Sequence, residues 1–125
     1  MASEGFHESA DLLTPKTRDL HRAILSLMEE LEAVDWYQQR VDAAADTELK
    51  EILAHNRDEE KEHAAMVLEW IRRRDSVFDA KLREYLFTEG RIVGIEAAAQ
   101  NGDGDAARNG GGDGIGVGVG SLRRS

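Results

Sequence analysis

The chain has 125 residues, a formal charge of −9, a pI near 4.9 and no cysteine. Disulfides, thiolate metal sites and thiol catalysis are thereby excluded; the acidity argues against nucleic acid or an anionic membrane as partner and suits cations. No window approaches the roughly 18 apolar residues that span a bilayer, and the initial MASEGFHESADLL has neither the basic start nor the apolar run of a secretory signal. A soluble, cytoplasmic protein is expected.

Residues 1–13 read as a flexible N-terminus. Thr14-Pro15 then opens a helix, with Thr14 as cap and Pro15 at the first helical position, where its missing N–H costs nothing. Leu20, Ile24, Leu27, Leu31, Val34 and Val41 alternate four and three apart, with Gln38 filling the one polar step: a heptad seam. The helix is predicted to stop near Ala44, because Asp46 or Thr47 can cap a second one. That second helix carries Leu49, Ile52 and Leu53, then Asn56, Glu60 and His63, then Val67, Trp70 and Ile71, and ends at Arg72-Arg73-Arg74, where basic residues suit the negative end of the helix dipole.

Ser76 followed by Asp79 reads as a capping box opening a short helix through VFDAKLREYLF. Gly90 and Gly94 interrupt a weaker apolar segment around Ile92, Val93 and Ile95. Nine of the twelve glycines fall from Gly102 to Gly120, so 100–113 reads as a linker and 114–125 as a separate peptide. The fold class is all-α: two long antiparallel helices forming a hairpin, plus a short C-terminal helix, with 14–99 as the domain. Roughly 85 residues make a marginal core, so oligomerisation is the expected supplement.

Glu30 lies about fifteen residues before the hairpin turn and Glu60 about fifteen after. At ~1.5 Å per residue both stand at one level on antiparallel helices. Glu30 is the one charge in the inward stripe Ala23, Leu27, Glu30, Val34, Tyr37, Val41, and Glu60 and His63, three apart, project from one face. An unpaired carboxylate in a core costs several kcal/mol. A divalent metal compensates for it, since carboxylate oxygen and imidazole nitrogen suit iron, manganese or zinc. The competing reading is a solvated acidic face with His63 at its rim; the shared level of Glu30 and Glu60 and the apolar seams resuming on both sides bring the metal site level with it.

Ferritin-like di-iron bundles carry a Glu from each of two helices and Glu-x-x-His from each of the other two. This chain holds half of that set, and a two-fold dimer doubles the hairpin to a four-helix bundle with four carboxylates and two histidines. Two divalent ions then balance four negative charges. MEELEAVDWYQQRVDA (28–43), HNRDEEKEHAAMVLEW (55–70) and REYLFTEG (83–90) closely resemble the encapsulated ferritins, cargo proteins of encapsulin nanocompartments.

That resemblance implies a ferroxidase: Glu30, Glu60 and His63 would hold a di-iron centre (Fe2+/Fe3+) shared by two chains, with Glu30 a candidate bridge. It also implies a homodimer assembling into a decameric ring of five dimers, iron storage in the shell, and an outer metal site at Glu29, Glu32 and Trp36. Those three form one stripe on the first helix. Ca2+, Mn2+ or Zn2+ are expected to occupy such sites in vitro. Tyr37, on the Glu30 stripe, is a candidate to hydrogen-bond a ligand carboxylate. His55, with Glu51 and Glu59 four residues to either side, reads as a surface pair, and His7 and His21 have no assigned role.

In DGIGVGVGSLRRS, Ile115, Val117 and Val119 alternate with glycine, a pattern for an extended peptide docking alternate side chains into pockets on another protein. VGVGSLR (117–123) resembles the encapsulin cargo-loading peptide, which implies location in the lumen of an encapsulin shell. The rival from another class is a non-catalytic metal-binding helical scaffold targeted to the same compartment.

Overall fold

The computed structural model describes residues 5–109, with side chains to Asn101. The chain divides into two units, one up to Arg74 and one from Asp75. The first is the helical hairpin. Its first helix, α1, spans Pro15–Ala43 (29 residues, about 44 Å). Thr14 caps it from extended backbone: the Thr17 N–H donates to Thr14 Oγ1 at 3.1 Å, satisfying a donor that has no partner inside the helix. The expected start is therefore realised to the residue.

Helix α2 spans Thr47–Arg74 and packs along α1. Between the two candidate caps the structure selects Asp46, whose Oδ2 accepts the Leu49 N–H at 2.8 Å. Ala44–Asp46 thus make the whole connection, and a three-residue link forces the helices antiparallel. At the far end of α2 the three arginines occupy the last turn, as expected. Glu69 receives Arg72 through both carboxylate oxygens (2.7 and 2.8 Å) and Arg73 at 2.7 Å, and these guanidinium bonds hold its carboxyl down at about 2. The Arg74 guanidinium lies over the Trp70 ring, 4.2 Å from its centre.

Residues ahead of α1 make specific contacts with it. A 3-10 turn over Ala10–Leu12 is held by Arg18, whose Nη2 donates to the carbonyls of Ala10 (3.0 Å) and Leu13 (3.1 Å). Phe6 lies against the His21 ring with centroids 4.8 Å apart, which gives His21 a packing contact.

The hairpin is nearly without a core. Among the described residues Ile71 (1 % exposed) and Ala64 (8 %) are buried, while Ile24, Met28, Leu31, Trp36, Leu49, Ile52 and Met66 are each at least 40 % exposed. Scattered apolar exposure is ordinary, but seven large side chains on two helices exceed what one hairpin can cover.

The second unit opens with α3, Ser76–Tyr85. Here the expectation is corrected. The cap is Asp75, one residue earlier than Ser76: its Oδ1 accepts the Phe78 N–H at 2.9 Å, and Asp79 binds forward to Arg83 Nε at 2.9 Å. A carboxylate is as good a cap acceptor as a hydroxyl, and an Arg one turn on attracts Asp79 more strongly than a backbone N–H. After Leu86, Phe87 has φ 61°, the left-handed residue that closes many helices, and Gly90 has φ 88°, which glycine adopts freely. Helix α4, Ile92–Asn109, then touches α3. Its backbone stays helical through 100–109, the first part of the stretch that composition reads as linker. Among the described residues there is no strand, and no helix is long and apolar enough to cross a membrane.

Candidate metal centre

Glu30 comes from the middle of α1, Glu60 and His63 from the middle of α2, and the short connection brings them to one level. Glu30 Oε2 lies 3.6 Å from His63 Nδ1, and the same nitrogen lies 3.5 Å from Glu60 Oε1. One donor atom from each of the three falls within 4.8 Å of the others, and among the described residues this is the one such group of three. The two carboxylate side chains are about three-quarters buried (24 % exposed), whereas His63 is 41 % exposed. The histidine is the open side of the site.

The spacing is too long for good hydrogen bonds and close to that of donors around a shared cation. Two donors each about 2.1 Å from one ion, at tetrahedral or octahedral angles, stand about 3.0–3.5 Å apart. Electrostatics lean the same way. Glu30 Oε2 is buried without a hydrogen-bond partner, an arrangement that native proteins avoid. The Glu30 pKa is raised, first by the Glu60 carboxyl with which it would share a proton, then by burial and by Glu60's charge; His63 opposes the rise without cancelling it. The donor set and its orphaned oxygen fit a divalent cation.

The remaining candidates lie around this group. Glu29 and Glu32 are exposed on α1 and Trp36 is 49 % exposed, and neither acid joins the three-donor group. Tyr37 is half-buried with Arg40 over its ring at 5.2 Å, and its hydroxyl makes no hydrogen bond to the site. His55 forms the expected exposed pair with Glu59, at 3.0 Å. His7 is exposed. The cargo-peptide residues Ile115, Val117, Val119 and Leu122 lie outside the described residues. Sequence reasoning missed Arg57, which bonds Gln38 across the hairpin; the polar break in the seam at Gln38 was the available signal.

The EncFtn-like family model matches residues 5–89, a span holding the whole hairpin and its three donors. The chain belongs to this family. It is 61 % identical over 110 residues to the encapsulated ferritin-like protein of Rhodospirillum rubrum, covering 86 % of this chain and 79 % of that protein. It is 51 % identical over 100 residues to a ferritin-like protein of Thermotoga maritima, with coverage of 80 % and 88 %. The Myxococcus xanthus encapsulin nanocompartment cargo protein EncC is 34 % identical over 113 residues, with coverage of 85 % and 86 %. A solved structure from Nitrosomonas europaea matches with a TM-score of 0.69 at 65 % identity, covering 71 % of this chain and 98 % of that one.

Proposed function

We propose that this protein is a ferroxidase whose working site forms between two copies of the hairpin. The observation that carries the reading is the buried Glu30 Oε2, which lacks a hydrogen bond and faces Glu60 and His63. One chain offers two carboxylates and one imidazole; two chains offer four and two, which balance a pair of divalent ions and match the ferritin-like donor set. The apolar residues left open on the hairpin supply the surface on which a second copy would close.

Ferrous iron is the substrate. Each ion gives up one electron and dioxygen takes the two, leaving ferric iron and, with two protons, peroxide. The chain's own work is to bind and to place. Glu30 and Glu60 neutralise the incoming charge, His63 presents its Nδ1 from the open side, and the half-buried walls hold the donors fixed. Glu29, Glu32 and Trp36 form the approach, where exposed acids concentrate cations. Tyr37 steadies the Glu30 stripe by packing.

The family membership and the name of the Myxococcus relative support delivery to an encapsulin shell through VGVGSLR (117–123), with the ferric product stored inside. The resemblance supports a ring of five dimers. Dioxygen uptake on adding anaerobic Fe2+ tests the activity: uptake stoichiometric with iron supports it, and bound iron without uptake would leave a redox-silent scaffold. Deleting residues 114–125 should leave oxidation intact and stop co-purification with a shell; loading that survives the deletion refutes the role of the tail.

A further inference from the structure

The site is sensitive to the roll of α2 against α1. Around residues 57–63 the contact between the helices is made by half-buried side chains, with the buried Ala64 just beyond that stretch and Ile71 near the far end of the hairpin. A roll of about 20° moves a side-chain tip lying about 6 Å from the helix axis by about 2 Å, enough to separate donors that stand 3.5 and 3.6 Å apart.

A polar connection crosses the hairpin next to this region. Arg57 Nη1 donates to Gln38 Oε1 at 2.9 Å, and Gln38 Nε2 donates to Asp42 Oδ1 at 3.0 Å. The amide therefore has both ends engaged and its orientation fixed. Arg57 Nε is tied in turn to Asp58 Oδ1 at 3.0 Å, and Lys61 Nζ reaches the same oxygen at 3.4 Å. The Arg57 side chain is 19 % exposed, well covered for an arginine. Gln38 is the one polar step in the otherwise apolar heptad row of α1, and the structure leaves it exposed, as it does Ile24 and Leu31 of the same row, so the bond to Arg57 ties the two helices together at the hairpin's surface. Arg57 precedes Glu60 by three residues, so any roll that breaks the Arg57–Gln38 bond carries Glu60 and His63 with it.

We propose that Gln38 and Arg57 are positioning residues: their bond across the hairpin fixes the roll of α2 that brings Glu60 and His63 to Glu30. The proposal rests on the three-donor metal reading and adds to it a part that touches neither metal nor substrate.

Co2+, redox-inert here and coloured when bound, is the probe, used with the full chain. Gln38→Leu removes the bond at an exposed position and should leave the melting temperature close to the parent's, yet weaken Co2+ binding about fivefold, less than the 10–100-fold typical of groups bonded directly to a ligand. The visible bands of bound Co2+ should shift as the imidazole leaves its place. Arg57→Met should do the same, the double variant should be no worse than either single one, and Arg57→Lys should recover binding to within about twofold of the parent. Parental affinity and spectrum in Gln38→Leu, or additive losses in the double variant, would overturn the lock and leave the metal centre standing. A parent that fails to bind Co2+ would overturn both.

Discussion

Two carboxylate clusters in the hairpin are solved in opposite ways. At the end of α2, Glu69 lies between Arg72 and Arg73; the protein supplies its own cations and the carboxyl is held at about 2. In the middle, Glu30 faces Glu60 and a single histidine. One of its oxygens is buried without a hydrogen bond, and the pKa is raised. The first cluster fastens a helix end and needs nothing further. The second is strained by itself and would become favourable with the proposed cation in place, as expected where stability has been exchanged for binding.

Removing a donor from the unsolved cluster gives the largest effect. Glu60→Ala or His63→Ala should reduce dioxygen uptake with Fe2+ to the rate of iron alone, while Glu69→Ala leaves it unchanged; oxidation by Glu60→Ala at the parental rate would place the chemistry elsewhere. Next comes metal itself. Mn2+ at about 100 times its dissociation constant should stabilise the fold by about 2.7 kcal/mol, seen as a higher melting temperature that Glu69→Gln retains and Glu30→Gln loses.

The metal-free protein should show the two clusters as opposite pH dependences. A carboxyl whose folded pKa lies below its ordinary 4.5 contributes stability that is present above that value, so the Glu69 contribution is lost as pH falls from about 4.5 towards 2. A carboxyl whose folded pKa is raised binds its proton better when folded, so the Glu30 contribution declines as pH rises above 4.5. In melting temperature against pH, Glu69→Gln should flatten the acid limb and Glu30→Gln the rise-dependent loss above it. The reverse assignment would break the comparison. The smallest effect belongs to the approach: Glu32→Ala should slow oxidation by about two- to fivefold without ending it, the difference fading in high salt.

The hairpin was readable because its signals are local. Thr14 and Pro15 act within one turn, and counting outward from the turn was enough to put Glu30 opposite Glu60; the heptad row marked the helix but not its packed face, since Ile24, Leu31 and Gln38 in it are exposed. The choice of Asp75 over Ser76 was not readable, since two good cap residues stand side by side and the decision turns on which oxygen reaches Phe78. Nor was the Arg18 clasp on Ala10 and Leu13, and of the Arg57–Gln38 bond the sequence showed the polar break at Gln38 but not the partner it meets. Long flexible side chains reach partners 5, 8 and 19 residues away that no periodicity encodes.

The bareness of the hairpin interior gives the proposed two-chain site a concentration-dependent rate law. If two chains must meet before iron is oxidised, specific activity climbs with protein concentration and collapses on dilution, while the lone chain stays inert towards iron. Confinement would then act as the on switch: oxidation would begin where the chains are crowded together, and the ferric product would form where a container already surrounds it.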